Sequence, residues 1–260
     1  MNSLKLYLKN LLKKKLSISL RNKINVRPVK INLNDFSENY SISDNFIWRT
    51  DRDFKTIFKF SNLLKFFYNE NISLVDIFFY NKGSKLIKKI IDININELNS
   101  LIIDRDFMNG IEGYGEFNIF HKSKKENNFS IRNSCYTGFS YKNRQYSYVH
   151  GNIPVAKKKM ISNKSRILNN EIIGSSALKN KNYVIQNDFS DYLKSEIFLT
   201  NPLKCRLNLN INGKNYSLNE KCSEIITINE PKIIKILSNS YLCRPIIFNY
   251  SKTSVDVMHG

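Results

Sequence analysis

The sequence predicts a mainly β protein: two tandem antiparallel β-sandwich units of immunoglobulin-like type, arising from an internal duplication, behind a short basic N-terminal helix. Three observations carry this expectation. Short runs rich in Ile, Phe and Tyr recur from residue 74 onward, separated by turn residues. No strand–helix–strand alternation is visible, which argues against a doubly wound fold. The run CYTGFSYKNRQYSYVHG at 135–151 returns as CRPIIFNYSKTSVDVMHG at 243–260, each opening on Cys and closing on His-Gly.

Residues 1–23 form the first predicted element. Leu4, Tyr7, Leu8, Leu11 and Leu12 recur at helical spacing, with Lys5, Lys9, Lys13, Lys14 and Lys15 around them. Such a helix suits contact with an anionic membrane surface. It equally suits docking on its own domain.

Residues 24–151 are predicted as the first sandwich with an N-terminal extension. VRPVKINL is a candidate strand. DNFIWRTDRDFKTIFKFSNLLKFF reads as a strand and then a short helix, capped near Ser61 or Asn62. Further strands are LVDIFFYN, LIKKIIDINI, LIID (101–104), YGEFNIFH (114–121), SCYTGFSY (134–141) and QYSYVH (145–150). Residues 152–182 hold Pro154 and a Lys triplet but no aromatic until the second unit nears, and read as a linker. Ile172 and Ile173 offer an edge strand as the competing reading. Residues 183–260 are the second sandwich: SEIFLTN, CRLNLNIN, KNYSL, EIITIN, KIIKIL, CRPIIFNY and SVDVMH. The copies match in order, with DIFFYN at 76–81 against EIFLTN at 196–201.

Composition narrows the function classes. With 260 residues, 42% hydrophobic and 12% aromatic, the chain is globular. It has no apolar run of about 18 residues, the length a transmembrane helix needs. The N-terminus is too basic for a secretory signal, so a cytoplasmic location is expected, peripheral to a membrane if residues 1–23 bind lipid. Net charge is +19. That favours an anionic partner, but the excess is lysine in a chain rich in residues with AT-rich codons, and no specific nucleic-acid site is expected. Cys135, Cys205, Cys222 and Cys243 match no zinc spacing and read as buried free thiols. The GxSxG, Walker and GxGxxG patterns are absent, and no catalytic residue, metal or cofactor is expected.

Four features remain as candidate sites. His150 and His259 close matched strands; they are too few for a closed zinc site, and Asp256 alternates to the other face from His259. Structural strand-end histidines are the simpler reading. Cys135 and Cys243 pair with these histidines as a conceivable nucleophile and base, but no third orienting group is recognisable. Tyr136, Tyr141, Arg144, Tyr146 and Tyr148, close to Phe139, would make a stacking surface for sugars or bases where exposed. Period two turns half of such a cluster inward. Trp48 and Arg49, beside Asp51, Arg52 and Asp53, would suit a carboxylate or a sugar; a buried Trp with surface ion pairs is the competing reading.

The segment SDNFIWRTDRDFKTIFKFS, followed by paired sandwiches closing on His-Gly, resembles uncharacterised bacterial tandem β-sandwich proteins associated with surface-polysaccharide gene neighbourhoods. The resemblance spans residues 41–260 and implies context, with no catalytic motif to carry over. The leading expectation is a non-catalytic binding protein for a glycan or a protein partner. Alternatives are a carbohydrate-metabolism enzyme with a site between the two β units, and a peripheral membrane or anionic-polymer binder. Oligomeric state is not legible.

Overall fold

The structure is a computed structural model. It describes residues 40–62, 65–66, 69, 74–122, 135–160, 167–173, 180–187, 192–201, 206–229, 232–240 and 244–260. The helix expected over 1–23 and the strand expected at VRPVKINL lie outside these residues.

The described strands are, in chain order, β1 (Tyr40–Arg49), β2 (Phe54–Ser61), β3 (Leu74–Asn81), β4 (Leu86–Asn94), β5 (Leu98–Ile103), β6 (Tyr114–Lys122), β7 (Tyr136–Tyr141), β8 (Ser147–His150) and β9 (Asn152–Met160). They continue as β10 (Ile167–Ile173), β11 (Lys181–Asn187), β12 (Lys194–Thr200), β13 (Leu207–Ile211), β14 (Lys214–Leu218), β15 (Ser223–Ile228), β16 (Lys232–Ser238), β17 (Ile246–Tyr250) and β18 (Val255–His259). Alternation explains many of them. In FKTIFKFS, Phe54, Thr56, Phe58 and Phe60 are buried while Lys55, Ile57 and Lys59 turn the other way. After β2 the cap falls on Asn62, whose Oδ1 accepts the Lys65 amide at 3.0 Å. Lys65 and Phe66, just after this cap, are helical, as the short helix expected there requires, and no other helix is present among the described residues.

The strands form four antiparallel sheets: β10-β9-β1-β6-β3-β4, β5-β2-β7-β8, β15-β12-β17-β18 and β11-β16-β13-β14. They stand as four blades in a propeller-like arrangement, not as two tandem immunoglobulin-like sandwiches. Within each blade the strands depart from chain order, so every sheet joins segments distant in sequence. The connectivity β1-β6-β3-β4 recurs as β11-β16-β13-β14, and β5-β2-β7-β8 recurs as β15-β12-β17-β18. Residues 152–160 and 167–173, read as linker, are strands that extend the first sheet beyond β1, with Ile172 and Ile173 on its edge strand.

Burial gives the physical reason for the correction. An isolated two-layer sandwich leaves one face of each sheet in water. Here β12 is buried from Ser195 to Thr200 and β17 is buried throughout. Ile197, Leu199 and Ile247 enter a core shared with Leu209, Ile211, Ile234 and Ile236 of the last sheet. On the opposite face, Phe198, Ile246 and Phe248 enter another core with Ile47, Phe54, Phe139 and Val149 of the first two sheets. A further core, around Trp48, Phe58, Phe79 and Phe117, lies between those first two sheets. The third sheet therefore packs on both sides and joins the halves.

Polar contacts cross the same seam. Glu116 Oε2 accepts from Thr200 Oγ1 at 2.6 Å and from Asn45 Nδ2 at 2.9 Å, all three groups being buried. Burial pushes the Glu116 carboxyl up to about 7, against the opposing pull of those hydrogen bonds. The Ser223 amide donates to the Lys82 carbonyl at 2.9 Å, beside a bridge between Gly83 and Cys222.

Two outcomes follow from the seam. Phe248→Ala should lower stability by about 3–5 kcal/mol, and the parent should melt in one calorimetric transition; two resolved transitions would mean that the halves unfold independently. Glu116 is raised in the folded chain, so its contribution is full below the ordinary carboxylate pKa and is lost as pH rises through about 7. Relative to the parent, Glu116→Gln should gain up to about 3 kcal/mol as pH goes from acid to above neutral, measured by urea unfolding across that range.

Candidate aromatic binding face

The outward face of β5-β2-β7-β8 is built by register. One row across the strands runs Ile102, Ile57, Gly138, Tyr148; the next runs Ser100, Lys59, Tyr136, His150. Antiparallel neighbours on one face lie close enough for side chains to interact. Ile102 is 52% exposed, Tyr136 43% and Tyr148 40%, an unusual exposure for large apolar groups set side by side.

Gly138 shapes this face. A Cβ there would fall 2.5 Å from the Tyr148 ring and 2.8 Å from Ile57. Without it, the Tyr148 ring lies across the strand. Lys59 Nζ sits 4.9 Å from the centre of that ring, a cation–π contact. The ring centres of Tyr136 and His150 are 4.7 Å apart, and those of Tyr146 and Tyr148 are 6.1 Å apart. His259 extends the row from the third sheet, its ring parallel to that of His150 within 4° at 6.5 Å.

Four of the residues read from sequence, Tyr136, Tyr146, Tyr148 and His150, thus come together, with His259 at their margin. The other four do not. Tyr141 turns into the seam, 5.7 Å from Tyr250 and edge-on to it. Arg144 follows a turn in which Lys142 and Asn143 have positive φ, and its guanidinium donates to the Thr253 carbonyl in the other half. Trp48 is wholly buried, and its Nε1 donates to the Tyr80 carbonyl at 2.9 Å. Arg49 is also wholly buried.

The carboxylates that Arg49 binds belong to its own chain. Its Nε and Nη2 each donate to Asp51 at 2.9 Å, and Nη1 donates to Glu196 at 2.8 Å. Glu196 also accepts from Tyr250 Oη at 2.6 Å and from Arg52 at 2.7 Å. The guanidinium carbon lies 4.0 Å from the centre of Phe54 and 4.6 Å from that of Phe248. Burial opposes the Arg49 charge, but Asp51, Tyr250 and Glu196 outweigh it and raise its pKa. Burial likewise opposes ionisation of Glu196, while Arg49 and the Tyr250 hydrogen bond bring its pKa below the usual range. The place between the halves, where an enzyme site was an alternative, is filled by this network and by the aromatic core.

Cys135 is buried, and Cys222 is half-buried. The third histidine, His121, is buried in β6, its pKa pushed down to about 4 by burial. Among the described residues no group of three or more His, Cys, Asp or Glu side chains could hold a metal ion. Lys59, Ile57, Ile102 and Gly138 were missed by sequence reasoning. The alternation in FKTIFKFS carried the signal for Ile57 and Lys59.

No family model matches the chain, and no curated protein matches it. Among solved structures it is similar to the lectin of Pleurotus ostreatus in its apo form, at 9% identity and a TM-score of 0.25, over 89% of this chain and 84% of that one. The same lectin in complex with GalNAc gives 8% identity and a TM-score of 0.25, over 86% of each chain. A Streptomyces avermitilis alpha-L-rhamnosidase complexed with L-rhamnose gives 8% identity and a TM-score of 0.23, over 86% of this chain and 27% of that one. Likenesses this slight settle neither fold nor ligand.

Gly138→Val should lift the Tyr148 ring from the sheet. The expected result is a changed Tyr148 ring-proton shift in NMR spectra and a loss of about 1–3 kcal/mol in urea unfolding. An unmoved Tyr148 signal would show that the ring does not rest on Gly138.

Proposed function

We propose that the chain is a carbohydrate-binding protein whose contact surface is the outward face of β5-β2-β7-β8. The observation that carries this reading is the exposed platform of Tyr136, Tyr148 and His150, with Tyr148 laid across Gly138. A pyranose ring has an apolar C–H face and a rim of hydroxyls. Aromatic faces meet the first, while phenol, imidazole and ammonium groups meet the second. Lys59, Ser100 and the tyrosine hydroxyls supply such groups beside the rings.

The two rows across this face include no Asp or Glu. Glycoside hydrolysis in its usual form needs a pair of carboxyl groups about the scissile bond. Recognition without cleavage is therefore the activity proposed. A surface-polysaccharide context, suggested by the resemblance of residues 41–260, belongs to the same proposal.

The test is a glycan array probed with the full chain, followed by titration of the strongest hit. Tyr136→Ala and Tyr148→Ala should each weaken that hit by about tenfold or more, equivalent to about 1.4 kcal/mol, with circular dichroism unchanged. A folded parent with no array hit would sink the proposal. So would a double variant that binds as the parent does.

A further inference from the structure

A groove on the last sheet is not used by the aromatic face. It is a cavity of about 440 Å³ whose lining includes Asn208, Asn210, Asn215, Ser217, Asn239 and Leu237. Strand alternation builds it. In LNLNI, Leu207, Leu209 and Ile211 are buried in the core, so Asn208 and Asn210 point outward. Register sets Asn208 opposite Ser217 and Asn210 opposite both Asn215 and Leu237.

The amides are held in place. Ser217 Oγ donates to Asn208 Oδ1 at 3.0 Å, and Asn210 Nδ2 donates to Asn215 Oδ1 at 2.7 Å. Asn210 Oδ1 accepts the Gly213 amide at 3.0 Å, and Asn239 Oδ1 accepts the Asn208 amide at 3.0 Å. Asn210 is thus engaged at both ends, as is Asn239, whose Nδ2 donates to the Arg206 carbonyl at 3.2 Å, while Asn208 and Asn215 are engaged through their Oδ1. Among the described residues, the Nδ2 groups of Asn208 and Asn215 have no acceptor.

We infer that this groove is a second saccharide-binding site, selective for neutral, hydroxyl-rich ligands. Carboxamides donate and accept at once, as a row of sugar hydroxyls requires. Leu237, 46% exposed, gives the apolar patch that a sugar's C–H face needs. The charge pattern gives the selectivity. The chain carries 41 Lys+Arg and 22 Asp+Glu, yet none of the groove's lining residues is charged. An anionic ligand would find no cation to pair with there. This inference stands on its own residues and does not depend on the aromatic face. With both sites occupied, one chain would bridge two glycan strands, and avidity would exceed either affinity.

The experiment is a titration of the isotope-labelled full chain with galactose, glucose, mannose, lactose, maltose and cellobiose, followed by NMR. The side-chain NH₂ signals of Asn208 and Asn215 are expected to shift saturably with at least one of these sugars. Asn208→Asp, or Leu237→Lys should the first variant unfold, should weaken that response about tenfold and leave signals outside the groove in place. No saturable shift in the groove with any sugar overturns the inference, as does a response that both variants retain. Shifts confined to β7 and β8 overturn it while leaving the aromatic face standing. Shifts confined to the groove sustain it and count against the aromatic face.

Discussion

The buried Arg49 guanidinium is the constraint on which the relation of the two halves depends. A guanidinium cannot shed its charge inside a protein, so its burial demands partners with matching geometry. Asp51 supplies a two-pronged contact from the neighbouring turn. Glu196, 147 residues away in sequence, supplies the contact from the other half. Phe54 and Phe248, one from each half, bring their ring centres to 4.0 and 4.6 Å from the guanidinium carbon. Removing one ionic partner would leave the other buried and uncompensated, at a cost of about 3–5 kcal/mol. A slide of one half over the other by a residue would do the same, so the network selects one register of the halves.

That docking explains why the candidate face is where it is. The second and third sheets share one connectivity, but their fates differ. The face of the third sheet turned away from the last sheet, with Phe198, Ile246 and Phe248, is spent on the seam. The corresponding face of the second sheet has no such cover, and its Ile102, Tyr136 and Tyr148 meet solvent. Similar scaffolds thus give an interface in one case and an accessible platform in the other.

Much of the strand pattern was legible, because alternation marks faces and glycines mark turns. LVDIFFYN and KNYSL are strands with the bounds read from sequence. Partners and layers were not legible, since periodicity states which way a side chain points but not what it meets. The runs DIFFY and IIFNY held an unread sign: consecutive apolar residues indicate burial on both faces, which a free two-layer sandwich does not provide. Residues 152–160 read as linker because the Lys triplet hides the apolar pattern of a strand that pairs on both sides, with β1 and with the edge strand β10. Of the site, Tyr136, Tyr146, Tyr148 and His150 were within reach as a cluster on two adjoining strands. Arg49 was misplaced because its burial depends on Glu196, which no local pattern could bring to it.

Gly138 has a further consequence for how any ligand is held. The missing Cβ lets Tyr148 settle on the strand before anything binds, and Lys59 closes over it. A ring already at rest surrenders little rotational freedom on contact. Complementarity to a nearly fixed surface, and not rearrangement of it, would then decide which ligands stay bound, so differences among them should fall in their dissociation rates.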